Sequence, residues 1–239
     1  MTPSTELPDA SQMQATASGM QVAALFSGGK DSSYALFCAQ HYGWDVACLV
    51  TVFSASPESY MYHVPAIEIT RLAAESIGIP LVEVATPPEP ELELLPLRDT
   101  LAKLGVDGIV SGALASEYQR RRLDQICNDI GIKSFAPLWH KDPRALLGEM
   151  VGEGFEIMIV GCSAEGLDER WLGRILDGKA LAGLDRLHEK YGIHVAGEGG
   201  EYESMVLYGP HMRRRIRLEY EKEWRVHSGQ ITVKRAWLE

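Results

Sequence analysis

The chain has 239 residues, of which 46% are hydrophobic, and a formal net charge of −10. That length can bury one or two ordinary cores. The charge argues against nucleic acid as a partner, although Arg120–Arg122 and Arg213–Arg217 are local basic runs. No apolar stretch is as long as a membrane span, which excludes a transmembrane protein.

Residues 1–20 are polar, with neither the basic start nor the apolar centre of a signal peptide, and are expected to be a disordered leader. From Val22 to about residue 136, strand and helix patterns alternate. Val22–Phe26 is an apolar run, and Tyr34–Phe37 opens an amphipathic one. Val46–Phe53 reads as a strand buried on both faces. Residues 65–77 have helical spacing ended by Gly78, and Leu81–Val84 reads as a short strand. A Pro/Glu-rich loop follows, then a helix over Leu92–Leu104 that Pro96 should break or kink. Gly108–Gly112 is predicted to be a strand, and Glu117–Ile130 a helix closed by Gly131. The alternation predicts an α/β fold, a doubly wound, mostly parallel Rossmann-like sheet covered on both sides. Its ligand belongs at the carboxyl ends of the strands, near a switch point. There the segment after Phe26, Thr51–Phe53 and Ser111–Gly112 would converge.

Beyond residue 136 the pattern changes, so residues 21–135 are expected to form a nucleotide domain and 136–239 a smaller α/β lobe. Arg144–Val151 reads as a helix and Phe155–Val160 as a buried strand. Helices are predicted over 168–177 and 180–191. The end alternates apolar and charged residues from Ile216 to Glu221 and again around Ile231 and Val233, after a Ser228-Gly229 turn signal. This predicts an antiparallel hairpin with one wet face, whose open edge offers a homodimer contact. Cys38, Cys48, Cys127 and Cys162 never pair as Cys-x-x-Cys. They read as buried thiols in a reducing, cytoplasmic compartment, not as a zinc or redox site.

The most informative segment is Leu25-Phe-Ser-Gly-Gly-Lys-Asp-Ser32, set between the first strand and the first helix. Gly28 and Gly29 let the backbone turn sharply and approach a ligand closely. Backbone N–H groups and the positive helix end then point at one place, as a phosphate requires. Ser27 and Ser32 add hydroxyls, Lys30 a cation, and Asp31 a metal ligand or helix cap. The spacing is not that of a Walker A loop. The simpler reading is an ordinary turn with glycine and a serine cap. Ser27–Ser32 resembles the pyrophosphate loop of the N-type ATP pyrophosphatases, which split ATP between its α and β phosphates.

A second constellation is Gly197-Glu-Gly-Gly-Glu-Tyr-Glu-Ser204, before a strand predicted over Met205–Tyr208. Glu198, Glu201 and Glu203, spaced by Gly199 and Gly200, read as a flexible acidic loop able to hold a metal, accept a cation or position an amine. A solvated acidic turn is its simpler reading. With Ser59-Tyr-Met-Tyr-His63, Glu117-Tyr-Gln-Arg-Arg-Arg122, Pro137-Leu-Trp139 and Glu165-Gly-Leu167, these motifs make the chain resemble the diphthine–ammonia ligase branch of that superfamily. Gly112-Ala113-Leu114 departs from the Gly-Asp-Ile of many relatives, which removes a carboxylate. The absence of the extra C-terminal domains of eukaryotic members gives the chain an archaeal-type look.

The resemblance implies an enzyme that uses ATP and ammonia to amidate diphthine on translation elongation factor 2, releasing AMP and pyrophosphate. It implies that Ser27, Gly28, Gly29, Lys30, Asp31, Ser32, Thr51, His63 and Gly112 bind ATP. Lys30 and Asp31 would be catalytic, and Asp31 would hold magnesium. Tyr118, Arg120, Glu198, Gly199, Gly200, Glu201, Tyr202 and Glu203 are assigned to the substrate. Tyr202, Glu201 and Glu203, with Trp139, would cage its quaternary ammonium. The alternatives are another acceptor for the same adenylation chemistry (a tRNA thiolase or an amidotransferase) and a non-catalytic nucleotide sensor. Unpaired cysteines disfavour sulfur transfer, and the Lys30-Asp31 pair together with the acidic loop disfavours the sensor.

Overall fold

The computed structural model describes residues 19–54, 66–87 and 94–239. Its first part runs β1 (Gln21–Leu25), α1 (Lys30–His41), β2 (Asp45–Ser54), α2 (Ala66–Ile77), β3 (Leu81–Thr86), α3 (Leu95–Leu104), β4 (Gly108–Val110), α4 (Glu117–Ile130) and β5 (Lys133–Phe135). These strands form a parallel sheet in the order β3-β2-β1-β4-β5. The chain winds outward from β1 to β3, then crosses to β4 on the other side of β1. That reversal opens a crevice between the carboxyl ends of β1 and β4, where open α/β sheets bind ligands.

Alternation along the central strand divides the core. Val22 and Ala24 face one buried cluster with Leu36, Ile69, Ile77 and residues of the C-terminal part. Ala23 faces the other, with Leu97, Leu101, Ile126 and Cys127 of α3 and α4. A strand buried on both faces needs apolar residues where it is covered, which Val22–Leu25 of β1 supply.

The second part runs α5 (Pro143–Gly152), β6 (Glu156–Cys162), a 3-10 turn at Glu169–Trp171, α6 (Gly178–Tyr191), β7 (Tyr202–Tyr208), β8 (Ile216–Arg225) and β9 (Ser228–Leu238). Its strands form an antiparallel sheet in the order β7-β6-β9-β8. Side-chain caps begin the helices: Ser116 accepts from Gln119 N–H, Asp142 from Ala145 N–H and Asp177 from Ala180 N–H. Gly131 and Gly192 end α4 and α6 in the left-handed region.

The α/β class, the parallel sheet and the terminal hairpin match the sequence reading. Four local expectations need correction, and one strand lies where none is expected. Pro96 neither breaks nor kinks a helix; it lies in the first turn of α3, where its missing N–H has no intrahelical partner to lose. The helix expected over 168–177 is only the 3-10 turn, after which Ile175 bridges to Met158. Lys133–Phe135 is a fifth parallel strand, too short to show a period. Tyr202, Glu203 and Ser204 belong to β7 and not to a flexible loop. The hairpin turns at Val226-His227, with Val226 at φ 45°, while Ser228 and Gly229 pair with Arg225 and Trp224. The leader expected over 1–20 (but for its last two residues), the Ser59–His63 motif and most of the Pro/Glu-rich loop lie outside the described residues.

Ser76 joins the two parts. It is fully buried on α2, and its hydroxyl donates to Arg214 O at 2.5 Å while accepting from Arg214 N–H at 3.0 Å. Its own carbonyl accepts from Arg213 N–H at 2.9 Å. Ser76→Ala strips partners from buried backbone groups, so unfolding free energy should fall by about 1–3 kcal/mol. Urea unfolding checks this; an unchanged midpoint would mean that water replaces the hydroxyl.

Candidate active site

The glycine loop follows directly from β1. Gly28 takes φ 78°, a left-handed conformation that turns the chain back on itself. Ser27 and Ser32 hold the turn closed: their hydroxyls lie 3.1 Å apart, Ser27 N–H donates to Ser32 Oγ, and Gly29 N–H donates to Ser27 Oγ. Gly29 is the N-cap of α1 and has no side chain to cap it, which leaves the first-turn N–H groups other than that of Lys30 to an anion. Gly112, just past β4, abuts this helix start. A Cβ there would lie 2.6 Å from the Asp31 carbonyl carbon and 2.7 Å from Ser32 N, so only glycine permits the approach. Its place is in packing the loop. Thr51 is buried on β2, next to Val50, whose carbonyl accepts from Phe26 N–H. His63 lies outside the described residues.

The loop is completed from the far end of the sequence. Val206 N–H on β7 donates to Gly28 O at 2.9 Å. Lys30 N–H donates to the hydroxyl of Ser204, 174 residues later in the sequence, at 3.3 Å. The Lys30 side chain is only 5% exposed. Its ammonium donates to Asp31 Oδ2 at 2.7 Å, lies 3.9 Å from Glu198 Oε1, and sits over the Tyr202 ring, 5.7 Å from the centroid. Burial, then the charge of Asp31, raise the Glu198 carboxyl above its ordinary value, against the opposing pull of Lys30. The other Asp31 oxygen, Oδ1, is buried and has no hydrogen-bond partner among the described residues. Asp31 therefore does not cap its helix; it clamps the lysine and leaves one oxygen for another ligand.

The acidic segment divides three ways. Glu198 faces Lys30. Glu201 braces the loop, accepting from His194 N–H and Gly199 N–H, both at 2.8 Å. Burial raises its carboxyl, but these backbone donors outweigh that and hold it below the ordinary range. Glu203 alternates with Tyr202 and Ser204 along β7 and instead lines a cavity of about 290 Å³ with Ser163, Gly200, Glu223, Arg225 and Gln230. Tyr202 is buried, and its hydroxyl donates to Val195 O at 2.9 Å. The expected cage of Tyr202, Glu201 and Glu203 is therefore not formed. Strand alternation sends Glu203 away, backbone donors occupy Glu201, and Lys30 already covers the Tyr202 ring.

On α4, Arg120 stacks over Trp139 at 4.8 Å and pairs with Asp124 at 3.4 Å, which brings two sequence landmarks together. Tyr118 is 66% exposed and packs with Arg122. The thiols are far from nucleophilic: burial pushes Cys127 up to about 11 and Cys162 up to about 12. Sulfur transfer through these groups is disfavoured.

Residues 20–134 match the family model described as the diphthamide synthase N-terminal domain, and residues 142–238 match that of the C-terminal domain. A diphthine–ammonia ligase from Homo sapiens is 34% identical over 244 residues, covering 92% of this chain and 90% of that protein. The chain belongs to the diphthine–ammonia ligase family. A relative of the same name from Danio rerio is 33% identical, with 87% and 90% covered. One from Schizosaccharomyces pombe is 31% identical, with 89% of this chain but only 38% of that protein covered. The additional length expected of eukaryotic members thus belongs to the yeast protein and not to the vertebrate ones. Length therefore does not mark this chain as archaeal-type.

Because its carboxyl is held low in the folded protein, Glu201 stabilises fully above the ordinary carboxylate pKa. That contribution is lost as the pH falls through the lowered value. Glu201→Gln should melt below wild type at neutral pH, and the gap should close as the pH falls below the ordinary carboxylate range. Thermal unfolding across pH checks this, and a gap independent of pH would contradict it.

Proposed function

We propose that this chain is the ATP-dependent ligase that converts diphthine on translation elongation factor 2 to diphthamide with ammonia, releasing AMP and pyrophosphate. The observation that carries this reading is the contact between Lys30 and Glu198. It joins the nucleotide loop to the acidic segment particular to this family, so both act on one substrate complex.

A carboxylate is a poor acceptor for ammonia, because its leaving group would be oxide. Activation solves this. The diphthine carboxylate oxygen bonds to the α phosphorus of ATP, and the bond to the β-phosphate oxygen breaks with pyrophosphate as leaving group. Ammonia then bonds to the acyl carbon, the carbon–oxygen bond to phosphate breaks, AMP departs, and the nitrogen releases a proton to water to leave the amide. No enzyme nucleophile is required.

The glycine loop and the uncapped start of α1 hold the departing β and γ phosphates through backbone N–H groups. Ser27 and Ser32 keep that cradle in shape, and Lys30 neutralises the charge that develops on it. Asp31 Oδ1, buried and without a partner, suits a magnesium ion, which is commonly held by one or two carboxylates plus substrate phosphates. Bound there, the ion would neutralise phosphate charge. Tyr118 and Arg120, on the helix that follows β4 at the same end of the sheet, are assigned to the protein substrate.

The test is product formation by the purified protein with ATP, magnesium and ammonium. Elongation factor 2 would be supplied with and without diphthine. AMP and pyrophosphate should appear only with the diphthine form, together with the mass change of an acid becoming an amide. Turnover indifferent to that factor would move the search to another acceptor. Lys30→Met should lower turnover by about 10²–10³-fold, the typical cost of one preorganised charge-stabilising contact. Circular dichroism would confirm that its fold is retained, and a loss below tenfold would remove Lys30 from catalysis.

A further inference from the structure

The Lys30 ammonium occupies a built cation site. One carboxylate accepts from it at 2.7 Å (Asp31), a second lies at 3.9 Å (Glu198), and the face of Tyr202 is 5.7 Å from the nitrogen. Two carboxylates and an aromatic face are what a small ammonium ion seeks. The site is also narrow. Tyr202 is 4% exposed and anchored by its hydroxyl to Val195, so the ring does not swing aside for a larger group. A lysine head and an ammonium ion are the same chemical group but for one alkyl arm.

We propose that the pocket formed by Glu198 and the Tyr202 ring is the ammonium site of the ligase, filled by the enzyme's own Lys30 until nucleotide phosphates draw that lysine away. The proposal rests on the ligase reading above. It deepens that reading by naming where the second substrate binds and why it binds after ATP. The flexible stem of Lys30 lets its head move between Glu198 and the loop's phosphates, since both lie at the start of α1. Before ATP arrives, the lysine shields Glu198, so ammonia is not recruited beside an empty nucleotide loop. Afterwards, the vacated pocket holds ammonium next to the carboxylate being activated, and Glu198 takes the proton that the nitrogen must lose before it attacks. The quaternary ammonium of diphthine, bulkier and without N–H donors, does not fit there.

The experiment compares two nitrogen nucleophiles on the full chain with the diphthine form of the factor. Ammonium carries charge at neutral pH; hydroxylamine does not, and it traps an acyl-adenylate as the hydroxamate. Glu198→Gln should raise the KM for ammonium by about tenfold or more, the usual loss with a charged partner, and that for hydroxylamine by less than about threefold. In the wild-type protein, methylammonium should compete with ammonium, whereas tetramethylammonium should not. Equal effects of Glu198→Gln on both nucleophiles, or competition by tetramethylammonium, would overturn the inference. If the wild-type protein forms hydroxamate and amide yet methylammonium does not compete, the ligase reading stands and the site is elsewhere. If it forms neither product, the ligase reading falls, and the inference with it.

Discussion

One backbone hydrogen bond, from Val206 N–H to Gly28 O, lies where the two sheets of this protein meet. β7 is an edge strand, and an edge strand exposes unpaired donors and acceptors. Here the glycine loop covers part of that edge, so a potential liability becomes the seam of the site. The same register places Ser204 against Lys30 N–H and Tyr202 beneath the lysine head. A slip of one residue would turn Tyr202 and Ser204 away and present Glu203 to the loop, because side chains alternate along a strand. The chemistry at Lys30 therefore depends on the pairing of β7.

That dependence accounts for the division of the acidic segment. Three glutamates close in sequence have three surroundings: an ammonium for Glu198, backbone donors for Glu201, a separate cavity for Glu203. Backbone geometry sorts them, with glycines on the loop side and strand alternation on the other. Of the three, only Glu198 faces the lysine of the glycine loop. Its raised proton affinity and the low one of Glu201 follow from the same sorting, since one is buried beside a carboxylate and the other is solvated by N–H groups.

The glycine loop is held in shape by its own hydrogen bonds. Hydroxyls close the turn, Gly112 lets β4 press against the first residues of α1, and of the helix's first N–H groups that of Lys30 is taken by Ser204. Preorganised donors of this kind need little rearrangement when charge develops, which is the main source of their effect. Among the loop's buried side-chain atoms, Asp31 Oδ1 alone has no partner among the described residues. A buried polar atom without a partner is costly, and it is kept where a ligand completes it.

The amino-acid sequence by itself determined the α/β class, the parallel sheet, the glycine loop and the family. Those features are local: apolar runs of strand length, helix-period spacing, Gly131 after α4, and six consecutive residues at Ser27–Ser32 set between a strand and a helix. It also held the acidic segment in plain view, without saying which carboxylate does what. Pro96 and the 168–177 segment misled because propensity is a weak prior that tertiary context overrides. Only the tertiary structure decided that Ser204 and Val206 close the glycine loop, that Glu198 and not Glu203 meets Lys30, and that Tyr202 lies under a lysine. Contacts across 174 residues leave no periodic trace in a single chain, because they are set by sheet order and strand register.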